Sequence, residues 1–177
     1  MEFQTLLENR RSVRSYDASK TVTREQIKEI VEAGILAPSW KNSQTARYYC
    51  VIDEAAKEKF AKECLPEFNI NSSKGAGAYV ITTFVANRSG FDREGNPDNE
   101  CGNGWGYYDL GLHNENVILK AKELGLDTLV MGIRDGEKIR EMLDIPEAEI
   151  IVAVIAVGYG ADAPATVSYT HLRAHET

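Results

Sequence analysis

IIVAVIAVGYG, residues 150 to 160, is the stretch on which the fold turns. From Ile150 to Val157 it is a continuous, β-branched-rich run without a charge. That pattern marks a strand buried on both faces. Three further extended segments lie upstream. Tyr79 to Ala86 is β-rich and reads as buried, Tyr48 to Ile52 reads as a strand, and Asp127 to Met131 is a short extended piece. The segments between them carry helical signals. Phe3, Leu6 and Leu7 recur at helical spacing over residues 2 to 9. Thr23 to Gln26 is a capping box, and Ile27, Ile30, Val31, Gly34 and Ile35 then line one helix face that Pro38 limits. Asp53 to Leu65 reads as a helix ending at Pro66, Tyr107 to Leu124 as a long helix closed by Gly125, and Asp135 as the cap of another with Ile139, Met142 and Leu143 on its apolar face. Helices outnumber strands. The expected fold is α+β, an α/β-layered arrangement whose central mixed or antiparallel sheet of about four strands is flanked by helices.

With 177 residues the chain suits one domain with a sizeable core, and 43% hydrophobic against 27% charged residues argues against disorder. The net charge of −7 repels nucleic acid and anionic membranes. Cys50, Cys64 and Cys101 are an odd number with no CxxC spacing, which fits a reducing compartment and neither a disulfide framework nor a zinc site. No basic stretch followed by an apolar run opens the chain, and the uncharged apolar run from Ile150 to Gly158 is too short to span a bilayer. A cytoplasmic protein with no membrane association is the expectation. The domain is expected to occupy residues 1–164. Residues 165–177, ending in VSYTHLRAHET, have no periodicity and are expected to stand apart from the fold.

Three motifs carry chemistry. NRRSVRSY at residues 9–16 puts Arg10, Arg11, Ser12 and Arg14 together in an acidic chain. Guanidinium groups match phosphate oxygens in a two-pronged fork, so such a cluster fits a small anion, the alternative being a solvated basic turn. APSWKNSQ at 37–44 leaves a helix and precedes a strand, and its amides carry both donors and acceptors, which suits a heterocycle edge. LGLDTLVMG at 124–132 ends in a glycine that permits close backbone approach to a flat ligand. Residues 87–106 form a long glycine-rich loop of the kind that serves as a lid or binding loop. Trp105 near its end and Tyr107 and Tyr108 just after it suit stacking on an aromatic substrate or packing of the lid. GNGWG at 102–106 is not a dinucleotide fingerprint. His113 has no nucleophile signature to serve, no GxSxG is present, and metal-ligand types are not clustered.

RRSVRSY at 10–16, APSWKNSQ at 37–44, DLGLHNENVILKAKELGLDTLVMG at 109–132 and IIVAVIAVGYG at 150–160, in this order, resemble the nitroreductase family of FMN-dependent oxidoreductases. The resemblance implies a nitroreductase-like fold and a homodimer with FMN at the subunit interface. It places Arg10, Arg11, Ser12 and Arg14 on the FMN phosphate and ribityl chain. Pro38, Ser39, Trp40, Asn42 and Gln44 border the ring, and the backbone of Leu129, Val130, Met131 and Gly132 passes its N5 side. It implies no catalytic side chain, because the flavin carries the chemistry, and no metal. NADH or NADPH is the implied donor and a small aromatic, quinone or nitro acceptor the partner, taken in a ping-pong exchange with Trp40, Trp105 and Tyr107 as pocket walls. A flavin reductase, a reductive dehalogenase or a non-catalytic flavin-binding dimer of the same fold are the alternatives. The chain departs from the family pattern at Trp40, where a small residue is common, at Thr45, which follows Gln44 in place of proline, at Met131, which is glutamate in some members, and in the tail after Pro164.

Overall fold

The computed structural model describes residues 2–161. The expected break at 164/165 and the atypical tail lie outside the described residues. β4 (Glu149–Gly158), the strand of the opening stretch, is an inner strand of a four-stranded sheet ordered β1-β2-β4-β3. β1 spans Ala46–Val51, β2 Ala78–Val85 and β3 Asp127–Met131. All three pairings are antiparallel, with β2 and β4 in register from Ala78 opposite Val157 to Val85 opposite Glu149. A bulge between Thr82 and Thr83 shifts that register once.

Strand periodicity sorts the core into two layers. Ile81, Met131 and Val154 face one side with Phe60 and Ile139, while Val80 and Ile155 face the other with Ile30, Val117 and Leu126. Both faces of β4 are therefore dry, which is why its sequence shows no alternation. α3 (Glu54–Cys64) and α6 (Gly136–Leu143) cover the first layer, α2 (Arg24–Ile35) and α5 (Gly104–Glu123) the second.

The helix ends follow local chemistry. The Thr23 hydroxyl accepts from Gln26 N–H, and the Gln26 carboxamide accepts from Thr23 N–H, so the capping box is complete. Asp53 and Asp135 cap α3 and α6 by accepting from Ala56 and Lys138 N–H. α5 stops at Gly125, whose φ of 77° lets Leu126 N–H bond back to the Ala121 carbonyl at 2.9 Å. α1 (Phe3–Asn9) is the helix expected over residues 2 to 9, but two pieces go beyond the expected elements, α4 (Glu67–Ser72) and a short helical turn at Trp40–Asn42. Among the described residues no helix is long and apolar enough to cross a membrane, and no cluster of metal-ligating side chains forms.

Candidate functional site

The arginine stretch is an extended strip laid along the outer edge of β3. Ser12 forms a parallel bridge with Thr128, and Val13 N–H donates to the Thr128 carbonyl at 3.0 Å. Val13 is buried in the core layer under α3 and α6, so the alternation of an extended chain turns its neighbours Ser12 and Arg14 outward, and Tyr16, where the alternation has ended, is buried in the same layer. The Arg11 guanidinium donates to the Arg10 carbonyl and that of Arg14 to the Ser12 carbonyl. Among the described residues none of Arg10, Arg11 and Arg14 pairs with a carboxylate. Three permanent cations in an acidic chain thus stand with most donors free.

β3 supplies the floor beside this strip. Leu129 and Met131 are core residues, so their side chains are unavailable to a ligand; Val130 is the outward one, and Gly132 is exposed. A methyl added at Gly132 would meet nothing within 4 Å, so its close approach, if used, is to something other than this chain.

The bend at 37–44 is held in an unusual shape. Lys41, Asn42 and Gln44 have φ of 45°, 55° and 50°, three non-glycine residues in the left-handed region. Such a cluster persists only where surrounding bonds over-determine it, and such outliers gather at functional sites. Trp40 N–H donates to Asp109 Oδ2 at 2.9 Å, Gln44 N–H to Ser39 Oγ at 3.0 Å, and the Gln44 amide to Asn42 Oδ1 at 3.0 Å. Trp40 Nε1 and Ser43 Oγ are buried with no hydrogen-bond partner among the described residues. Pro38, Asn42 and Gln44 are exposed.

Of the three expected pocket walls, the structure unites two. The Trp40 and Trp105 rings lie 4.3 Å apart at 44°. Tyr108, rather than Tyr107, continues the stack, edge-on to Trp105 at 5.6 Å. Tyr107 sits edge-on to Phe84 at 4.9 Å, on the adjoining face of α5. His113 is buried, with Nδ1 2.7 Å from the Asp109 carbonyl oxygen, which fits the packed role expected of it.

Within one chain the two halves of the expected cradle do not meet. The arginine strip borders β3, and the bend leads into β1, the opposite edge of the sheet. Three inter-strand steps of roughly 4.8 Å separate those edges. Along the other axis the bend is tied to Asp109 near the start of α5, while the strip joins β3 just past its end, about 20 Å further at about 1.5 Å per residue.

The family's sequence profile, that of the nitroreductases, matches residues 7–159. The chain belongs to the nitroreductase family. An FMN-containing oxidoreductase of known crystal structure superposes on this nitroreductase-family chain with a TM-score of 0.77 at 25% identity, covering 92% of this chain and 79% of that one. A relative from Archaeoglobus fulgidus, provisionally named an NADH dehydrogenase/NAD(P)H nitroreductase, is 26% identical over 161 residues, 89% of this chain and 84% of its own length. The FMN reductase [NAD(P)H] of Bacillus subtilis is 28% identical over 165 residues, 88% of this chain and 65% of its own length.

The nitroreductase fold also brings to the arginine strip residues that the sequence did not single out. A cleft of about 860 Å³ runs from Arg14 between the strip, α3 and the end of α4, where Asn71 and Lys74 stand on its wall. Lys57 lies inside it, buried, with Nζ bonded to the Ala76 carbonyl at 2.9 Å and to Glu54 at 2.8 Å. Nothing in the local pattern around Asn71 and Lys74 announces them, because α4 is too short for a helical period to show. Asp109 was likewise hidden, reading as one more polar residue on a long helix although it is only 3% exposed.

Proposed function

We propose that this protein is an FMN-dependent oxidoreductase that draws reducing equivalents from NADH or NADPH and passes them to a small aromatic, quinone or nitro acceptor. The observation that carries the reading is the arginine strip: three guanidinium groups and a serine hydroxyl, fixed to the sheet edge by a backbone bridge, without carboxylate partners among the described residues. A phosphate monoester is the group such forks fit best. The bend fits the other end of the cofactor, since it presents the exposed amides of Asn42 and Gln44 on a strained, over-determined backbone.

Bound FMN would supply the redox chemistry, hydride exchange with a nicotinamide and with the acceptor. The chain's own residues bind and orient. Arg10, Arg11, Ser12 and Arg14 neutralise and fix the phosphate end. The backbone of Leu129 to Gly132 lies alongside as a flat floor, its core side chains Leu129 and Met131 keeping it rigid. Trp40 and Trp105 exclude water from the face where donor and acceptor alternate. Because strip and bend lie on opposite sheet edges, the protein works as a homodimer in which the bend of one copy closes the site on the strip of the other. Exposed apolar residues on elements around α5 support that pairing: Phe3 and Leu7 on α1, and Ile35 and Leu36 at the exit of α2, the last two 64% and 84% exposed.

The experiment is an absorption spectrum of the purified protein after FMN addition and gel filtration, then with NADH or NADPH under anaerobic conditions. Retained yellow colour that the pyridine nucleotide bleaches is expected, and return of colour on adding a quinone completes the cycle. A protein that emerges colourless refutes the reading, whereas one that stays yellow under both nucleotides favours the non-catalytic flavin-binding dimer.

A further inference from the structure

We propose that Asp109 is a positioning residue that ties the bend at 38–44 and the loop at 87–103 to one point on α5, so that the ring-facing bend and the acceptor-facing loop hold their shapes together. The inference rests on the flavin reading above and goes beyond it in assigning a role to a residue outside the expected contacts.

Asp109 lies in the first half of α5, between the bend and the loop, and its carboxylate is buried. One oxygen, Oδ2, serves both neighbours: it accepts the backbone N–H of Trp40 at 2.9 Å and the hydroxyl of Ser89. Trp40 opens the left-handed turn, and Ser89, 1% exposed, lies near the start of the loop. Hydrogen bonds to an ionised acceptor are about twice as strong as neutral ones, and removing a shared acceptor strands two donors at once, the buried Ser89 hydroxyl and the half-buried Trp40 N–H.

Two more layers repeat the tie. The indoles of Trp40 and Trp105 pack against each other at a tilt, and Trp105 Nε1 donates to Asn99 Oδ1 of the loop at 3.0 Å. At the surface, Lys41 Nζ reaches Asp98 Oδ2 at 2.8 Å, again from bend to loop. The loop's base is closed by a reciprocal pair, Asn87 N–H to Asn103 Oδ1 and Asn103 Nδ2 to Asn87 Oδ1. The exposed ion pair is worth little by itself. The buried carboxylate is the part of the latch whose loss cannot be replaced by water without rearrangement. A bend carrying three left-handed non-glycine residues needs such an anchor, because each residue gains by relaxing if the anchor is released.

The chain has two tryptophans, Trp40 and Trp105, so near-ultraviolet circular dichroism of the full-length protein reads the latch without interference from other indoles. Wild type, Asp109→Ala, Asp109→Asn and Ser89→Ala are compared, with Trp40→Phe defining the signal of an unstacked indole. Trypsin cleavage at Arg88 and Arg93 reads the loop. Asp109→Ala is expected to lower the indole signal to the Trp40→Phe level and to speed loop cleavage about tenfold, the factor expected for one charged hydrogen bond. Asp109→Asn keeps an acceptor oxygen and restores most of the indole signal. Ser89→Ala speeds cleavage but leaves the indole signal intact, since only the loop side of the tie is cut. In the flavin-loaded protein Asp109→Ala raises the acceptor KM about tenfold while kcat moves less than threefold.

Wild-type indole signal and cleavage rate in Asp109→Ala overturn the proposal. If that variant does not fold, unchanged loop cleavage in Ser89→Ala overturns it. A protein that binds no FMN but loses the indole signal in Asp109→Ala retains the latch and sinks the flavin reading instead, so the two failures are distinguishable.

Discussion

Gly106, in the first turn of α5, lies hard against the Phe84 ring of β2. A Cβ built there would lie 2.2 Å and 2.3 Å from two ring carbons of Phe84 and 3.0 Å from a third. Ordinary carbon contacts are about 3.5–4.0 Å, so the overlap exceeds an ångström. Phe84 cannot yield. It is 1% exposed, sits on β2 between Ala46 and Ile150, and has Tyr107 against its ring. The start of α5 must lift instead. Overpacking of this kind costs about 1–3 kcal/mol, and a rigid ring met by backbone places Gly106→Ala at the upper end, about 3 kcal/mol. For a chain of this size each kcal/mol is worth roughly 2–4 °C, so Tm falls by about 6–12 °C. Asp109 stands one turn further along the same helix, so the lift also displaces the acceptor that holds Trp40. Differential scanning calorimetry gives the stability term, and the indole dichroism gives the bend. A Gly106→Ala variant within about 0.5 kcal/mol of wild type refutes the close approach and the reasoning built on it.

On the proposed function, Arg10→Ala, Arg11→Ala and Arg14→Ala each remove a charged fork from the arginine strip and are expected to weaken FMN binding about tenfold; flavin fluorescence titration checks this, and unchanged affinity in all three removes the strip from the site. Thr23→Ala deletes the cap that accepts Gln26 N–H and costs about 1 kcal/mol, read as a Tm drop of about 2–4 °C. Alkaline pH tests the buried acids. Burial, then the nearby carboxylates of Glu63 and Asp135, pushes the Cys64 thiol up to about 11, and burial with Asp127 raises the Tyr16 hydroxyl as well. Their folded-state values exceed the unfolded ones, so the unfolded chain releases protons first as pH rises. Their contribution is full below the unfolded thiol value of about 8.5 and fades as pH climbs toward the folded one. Tm is expected to hold steady from pH 7 to 8 and to fall above about pH 9, with Cys64→Ala shallower; a Tm that rises over that range contradicts the assignment.

The sheet was largely readable because its signals are local. A charge-free β-branched run made β4 an inner strand, and a hydroxyl and a carboxamide at the right spacing placed the start of α2. α4 escaped because six residues after Pro66 show no period, and α5 began earlier than expected because its glycine-rich first turn, Gly104 to Gly106, has the composition of a loop. The candidate site was readable only in parts. Each motif was visible as a string, but strand order is not written in any one of them. That the arginine strip and the bend fall on opposite edges follows from β4 pairing between β2 and β3, a long-range choice. Asp109 was invisible for a related reason: its neighbours, Trp40 and Ser89, are distant in the chain, and only packing reveals a carboxylate shared between them.

Subunit complementation tests the two-chain site most directly. One variant carries Arg10→Ala, Arg11→Ala and Arg14→Ala, the other Asn42→Ala and Gln44→Ala, each variant losing one half of the cradle. Neither is expected to hold FMN alone, and mixed dimers, in which one intact strip faces one intact bend, are expected to recover one FMN per pair. Mixtures that stay colourless while wild type is yellow, or a wild-type protein that binds FMN as a monomer, contradict the account.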